Sequence, residues 1–289
     1  MRAQNVVFGL VFVLAGALAS TAAAQEQAAN VPTRAELYCS GTITKQSFPT
    51  DTYLITGEES EYKISFQEGD YVYINKGTAQ GAKVGDEFQV IRIEGNWMGI
   101  SWFRGQYWLL RAMGNMWEDK GRLRVVVAQP NLSIAQIEES CDYIQRGDIV
   151  VPFVERAAPQ LKPEDKFDRF APPSGKATGL IAVGKGYISQ LGTNDIAYVN
   201  LGTDQGVHVG DYLRVFRYQD LQRENAYQTY RVSTSVYGYG STPGHWNWQN
   251  LPRQVIGEAI VLRTAPNSAT VLITFSLREI FAGDSIEVE

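Results

Sequence analysis

The sequence predicts an all-β protein: two tandem small SH3-like β-barrel modules joined by a Pro-rich linker. Three observations carry that expectation. One stretch of the chain is repeated, the segments around each copy are short and alternating with glycine turns between them, and the region between the copies is rich in proline. Asp70 to Arg92 reads DYVYINKGTAQGAKVGDEFQVIR, and Asp195 to Arg217 reads DIAYVNLGTDQGVHVGDYLRVFR. Tyr73, Asn75, Gly77, Thr78, Gln80, Gly81, Val84, Gly85, Asp86, Val90 and Arg92 return without a gap as Tyr198, Asn200, Gly202, Thr203, Gln205, Gly206, Val209, Gly210, Asp211, Val215 and Arg217. Self-similarity at a fixed offset marks a duplication and decides the fold before any single element does.

Within the repeated stretch, the alternating apolar positions of YVYIN and FQVIR suit half-buried strands, and the glycines between them permit φ > 0 in tight turns. Gly85-Asp86 and Gly210-Asp211 are turn signals in which the Asp side chain accepts from nearby backbone N–H groups. A Gly-rich loop cradles phosphate when a helix N-terminus follows; here a strand follows, which argues against that use.

In chain order, Arg2, the apolar run from Val6 to Ala19 and Ala22-Ala23-Ala24 before Gln25 predict a secretory signal peptide over 1–24. Residues 25–38 are polar and Ala-rich and predict a disordered lead-in. The first β module is expected over 39–153, with short segments TITKQ, TYLIT and YKISF ahead of the repeated stretch, and Gly121-RLRVVVAQPN, Ser133 to Ile144 and Gly147-Asp148 after it. Ser133 to Ile144 is the best candidate for a helix; its counterpart SATVLITFSLREI is β-branched and reads as a strand. Residues 154–176 carry Pro159, Pro163, Pro172 and Pro173 among charges and predict a semi-stiff linker between independently folded units. The second module is expected over 177–289, with Gly179-LIAV aligned to Gly41-TIT, and Pro266-Asn267 and Gly283-Asp284 aligned to Pro130-Asn131 and Gly147-Asp148. Closing each sheet into a barrel would remove exposed strand edges.

Cys39 and Cys141 are the only cysteines. Export makes a disulfide the default for such a pair, and two separately buried thiols are the competing reading. Under the alignment above they face Ala177 and Leu277, which places them as a contact between the first and last strands of a closed module.

The copies differ most in the insertions 93–120 and 218–256, which hold every tryptophan: Trp97, Trp102, Trp108 and Trp117 in the first, Trp246 and Trp248 in the second, with Tyr239 beside them. Aromatics at such places close a barrel end or pack modules together. They also suit a protein partner or self-association, since Trp, Tyr, Met and Arg are enriched in interface cores, and loops on a rigid frame often carry function. Stacking on the sugar faces of a cell-wall glycan such as peptidoglycan is the alternative, with Asn247, Gln249 and Asn250 as hydrogen-bonding groups.

Little points to catalysis. The two histidines are His208, aligned with Lys83, and His245 in PGHWNW, with no acid near it in sequence. No Cys/His spacing suits zinc and no G-x-S-x-G motif is present, so no enzyme activity, metal or cofactor is expected. A net charge of −5 with both signs interspersed gives no reason to expect nucleic acid or an anionic membrane surface as partner, and no run after the signal peptide is long and apolar enough to span a membrane.

The pattern G-x-I … D-x-x-Y-[IV]-N-x-G-x-x-x-G-x-x-V-G-D … V-x-R … G … P-N … I-x-x-G-D, present in both copies, resembles the C-terminal domain of the flagellar assembly protein T family and modules of some exported LysM-bearing proteins. The resemblance implies a periplasmic, non-enzymatic part that assembles around the flagellar motor. This chain doubles the module and adds aromatic-rich insertions, and it contains no LysM repeat from which peptidoglycan binding would follow. The expectation is a non-catalytic exported envelope protein that works through those insertions.

Overall fold

Alternation along the repeated stretch becomes paired strands in both copies. The computed structural model describes residues 31–59, 61–94, 101–163, 167–218 and 252–289. The first copy contains α1 (Arg34–Tyr38), β1 (Thr42–Thr44), β2 (Leu54–Gly57), β3 (Ser65–Phe66), β4 (Tyr71–Ile74), β5 (Glu87–Ile93), α2 (Gln106–Met113), β6 (Asn115–Ala128), β7 (Ser133–Ser140), β8 (Ile144–Gln145) and β9 (Ile149–Pro152). The second contains β10 (Thr178–Gly184), β11 (Gln190–Leu191), β12 (Ile196–Val199), β13 (Tyr212–Arg217), β14 (Gln254–Ala265), β15 (Ser268–Ser276), β16 (Ile280–Phe281) and β17 (Ser285–Val288). The chain is predominantly β.

The second copy closes into a six-stranded barrel in the order β10-β12-β15-β14-β13-β17. The first copy repeats that order as β2-β4-β7-β6-β5-β9, in a seven-stranded sheet that also carries β1 on β6. Its two ends meet at a single bridge, Tyr53 to Ile149. Alternate positions fill each interior: Leu54, Val72, Ile74, Val90, Leu123 and Ile137 in the first, and Ile181, Val199, Val215, Val261, Val271 and Ile286 in the second.

The duplicated polar residues hold this frame. Asp86 Oδ2 accepts from Lys83 N at 2.9 Å and Asp211 Oδ2 from His208 N at 2.8 Å, as the turn reading requires. Gln80 and Gln205 each accept from the backbone of the glycine three residues earlier at 2.9 Å. Those glycines, Gly77 and Gly202, lie so close to the next turn that a Cβ would sit 2.3 Å from Gln129 O and 2.2 Å from Ala265 O. Arg92 forks onto Asp148 at 2.6 and 2.7 Å, and Arg217 onto Asp284 at 2.7 and 2.6 Å, both aspartates being buried.

Four expectations change. Asn75 Oδ1 accepts from Tyr53 N, and Asn200 Oδ1 accepts from Leu180 N, so β10 corresponds to β2 and not to β1. The Gly41-to-Gly179 alignment therefore fails, because a matching glycine two residues before an isoleucine is too short a signal to fix a register. Cys39 and Cys141 do form a disulfide, but Cys39 caps α1 and Cys141 follows β7, so the bridge ties the N-terminal helix to the sheet. Arg34–Tyr38, expected to be disordered, is a helix with a Thr33–Glu36 capping box and buried Leu37 and Tyr38. Ser133–Ser140 is strand β7, since Ser133, Ala135 and Ile137 are buried at period two.

Residues of the Pro-rich linker lie along the second barrel. Ala158 and Leu161, with Phe153 just ahead of the linker, pack against Ile260, Leu262 and Leu272, and Ala171 and Phe167 pack against Phe216 and Val255. Val255 N donates to Arg169 O at 2.8 Å, which adds a backbone bond to those contacts.

Candidate interaction surface

The first insertion becomes a built joint between the two copies. Its helix α2 buries Gln106, Leu110 and Met113 along one stripe, at the i, i+4 and i+7 spacing of a helix face. Leu110 and Met113, with Ile43 of β1 and Met116 of β6, pack on Ala182, Val183 and Tyr198 of the second barrel. Gln106 Nε2 donates to Ala182 O at 2.8 Å while its Oε1 accepts from Trp102 N at 2.7 Å. At the helix C-terminus Asn267 Nδ2 donates to Ala112 O at 2.5 Å, satisfying one of the carbonyls a helix end leaves open. Gly114 then turns the chain into β6 at φ 124°, where a Cβ would lie 2.3 Å from the Thr44 carbonyl carbon and oxygen.

β1 crosses the same face of the second barrel. Tyr198 Oη donates to Ser40 O at 2.9 Å and Thr270 Oγ1 donates to Gly41 O at 3.0 Å, and Ser268 Oγ donates to Ile43 O. Asp119 of β6 is buried at the centre of this joint. Its Oδ2 accepts from Gly41 N at 2.9 Å, and Arg263 and Arg156 stand at 3.8 and 3.9 Å. Burial pushes the Asp119 carboxyl up, against the pull of Arg263 and Arg156. Burial also pushes the Tyr198 hydroxyl up, with the Asp119 charge adding to it.

A second ionic group lies at the edge of the joint. Lys120, itself buried, reaches Glu118 at 2.5 Å and Asp142 at 2.8 Å. Burial, a hydrogen bond to Glu118 and the charge on Glu118 push the Glu94 carboxyl up to about 6, while Lys120 and Arg92 oppose the rise.

The predicted site residues separate. Trp117 is 4% exposed, held edge-on by Phe48 at 4.9 Å, with β1 and β5 on either side. It packs the interior of the first copy. Trp102 is half-buried. Trp108 is 69% exposed on the outer side of α2, with Tyr107 edge-on to it at 4.9 Å. Trp97, Tyr239, Trp246 and Trp248 lie outside the described residues. His208 is exposed beside Asp211, and His245 is outside the described residues.

Sequence reasoning missed Asp119, Arg263 and Tyr198 as joint residues. A signal was present for the first: Asp119 corresponds to Val255, and an acid where the other copy has a buried valine needs a partner from elsewhere. A further opening of about 600 Å³ is lined by Tyr62, Lys63, Ile64, Glu68, Asp142 and Tyr143 near the disulfide. Among the described residues no group of three metal-ligating side chains comes together, and no helix is long and apolar enough to cross a membrane. A scan against protein-family models and a search of curated proteins find nothing that matches this chain.

Proposed function

We propose that the chain is a non-catalytic, exported component of the cell envelope, built of two SH3-like barrels, that works by contact with protein surfaces. The observation that carries this reading is the composition of the joint. The first insertion places Leu110, Met113 and Met116 in an apolar interface with the second barrel, with Gln106 and Asn267 hydrogen-bonding across it, of the kind proteins use to bind one another. The duplicated polar residues support it too, since Asp86, Gln80, Arg92 and Asp148 and their counterparts are engaged in turns and buried ion pairs rather than converging on a cleft. The disulfide and the apolar N-terminal stretch are compatible with export to the periplasm, as the resemblance to flagellar assembly protein T modules implies.

One observation favours the glycan alternative: Trp108 and Tyr107 stand together on the outer side of α2. Tryptophan emission during titration with soluble peptidoglycan fragments separates the two readings. The protein-contact reading expects no saturable shift. A saturable shift that disappears in Trp108→Phe would transfer the function to glycan binding.

A further inference from the structure

The duplication makes it possible to compare what each copy leaves open. Ala182 and Tyr198 of the second barrel are buried beneath α2 and β1, whereas Ile55 and Tyr71, on the matching face of the first sheet, are exposed. A sharper difference lies beside the small β3–β8 pair. Phe66 faces Ile144 there as Leu191 faces Ile280 in the β11–β16 pair, so Tyr62, Glu68 and Ser140 correspond to Tyr187, Thr193 and Ser276. In the second copy Thr193 N donates to Ser276 Oγ and Ser276 N to Thr193 Oγ1, both at 3.1 Å, and Tyr187 is half-buried against the joint. In the first copy Glu68 stands in place of Thr193, and Ser140 Oγ donates to Asp142 O at 2.8 Å instead of across the gap. The gap is the cleft of about 600 Å³, with Tyr62 90% exposed at its rim. One copy is bonded shut where the other is open.

Both walls of the cleft are fixed to the frame. On one, Tyr62 N and Lys63 N donate to Glu59 O at 2.9 and 3.0 Å, and buried Phe66 anchors the end of the segment. On the other, Arg92 Nη2 donates to Tyr143 O at 3.2 Å, and the Arg92 guanidinium lies 4.7 Å from the centre of the Tyr143 ring. Tyr62, Ile64 and Tyr143 thus stand exposed on a built surface. The charge around them is of one sign. Lys63 is held by Asp70 at 2.6 and 2.7 Å, and Lys120 by Glu118 and Asp142 at 2.5 and 2.8 Å, so the cations here are already paired within the chain. Glu68 in the cleft, and Glu58, Glu59 and Glu61 on the segment leading into it, are exposed and form no ion pair among the described residues.

We infer that this cleft docks a basic segment of a partner protein, whose Lys or Arg side chains lie against the Tyr62 and Tyr143 rings and pair with Glu68. Carboxylates that lack a cation, beside tyrosine rings whose faces carry negative potential, are complementary to a positively charged chain. The protein already uses one of these rings in this way, since Tyr143 receives Arg92 and also Lys120, whose Nζ is 5.3 Å from the ring centre. Exposed Ile64 adds apolar area for the stem of a long basic side chain. The inference rests on the protein-contact reading above and names the chemistry of the partner.

Fluorescence anisotropy of a labelled penta-arginine peptide, titrated with the disulfide-intact full chain, tests it. The expected result is saturable binding that Tyr62→Ala and Glu68→Gln, both at exposed positions, each weaken by at least about threefold. Asp204→Asn, which removes a charge from an exposed turn of the second copy, is expected to leave the affinity unchanged. No saturable binding, binding indifferent to Tyr62→Ala, or a loss as large in Asp204→Asn as in Glu68→Gln would each overturn the inference. Displacement of the peptide by soluble peptidoglycan fragments would overturn it in favour of a saccharide in the same cleft. The protein-contact reading fails separately, through a tryptophan emission change that depends on Trp108, in which the cleft takes no part.

Discussion

The Arg–Asp fork is the residue-scale feature that the duplication keeps most strictly. Arg217 reaches Asp284 with two short bonds, its Nη2 also donates to Glu279 O at 2.8 Å, and Asp284 Oδ2 accepts from Phe281 N at 2.7 Å. Removing one partner strands a charge in the barrel wall, so Asp284→Ala is expected to lower stability by about 3–5 kcal/mol in urea unfolding; a loss of about 1 kcal/mol or less would place the fork with ordinary surface pairs. Glu94 gives a second test at this scale. Its folded carboxyl titrates near 6 against an ordinary value of 4.5, so the folded state binds this proton more readily than the unfolded chain does. For this group stability falls as pH rises from about 4.5 to about 6 and is level above that. Asp70 and Asp142 work the other way. Burial raises them, Lys63 and Lys120 outweigh it, and their contribution is lost as pH falls through their lowered values. Glu94→Gln is therefore expected to remove a falling component from the stability–pH curve between about 4.5 and 6, measured by chemical denaturation; an unchanged curve there would mean that Glu94 titrates normally.

At the scale of elements, what was legible in the sequence follows from what repeats. Strand, glycine turn, strand could be read from Asp70 to Arg92 because its return at Asp195 to Arg217 separates frame from ornament. The turn aspartates and the pairing of Cys39 with Cys141 were legible for the same local and compartmental reasons. β1 was not. TIT alternates as well as LITG does, and only the bond from Tyr53 N to Asn75 Oδ1 identifies which segment opens the sheet. Helix α2 was hidden within an insertion read for its aromatics, although Gln106, Leu110 and Met113 carry helical spacing. Composition made 154–176 look like a spacer, yet Ala158, Leu161, Phe167 and Ala171 are apolar enough to lie on the second barrel. Of the predicted site, Trp117 went to the interior of the first copy and Trp108 to the surface, a division that turns on which side of a strand or helix each occupies and not on residue type.

For the whole molecule, the duplication supplies two similar units and the insertions make them unlike. The outer β10–β12–β15 face of the second barrel is covered inside the chain, and its counterpart on the first sheet is open. The Cys39–Cys141 bridge, with a sequence separation of 102, holds α1 and the start of the joint to the sheet; in the chain-entropy model a loop of that size is worth about 4–5 kcal/mol. The central claim is that α2 and β1 of the first copy cover the β10–β12–β15 face of the second barrel, while the matching face of the first sheet is left open. Hydroxyl-radical footprinting of tyrosine side chains tests it most directly, because the reagent reads ring exposure residue by residue. Tyr71 is expected to react readily while Tyr198, its hydroxyl bonded to Ser40 O, stays protected. Reactivity of Tyr198 equal to that of Tyr71 would contradict the account.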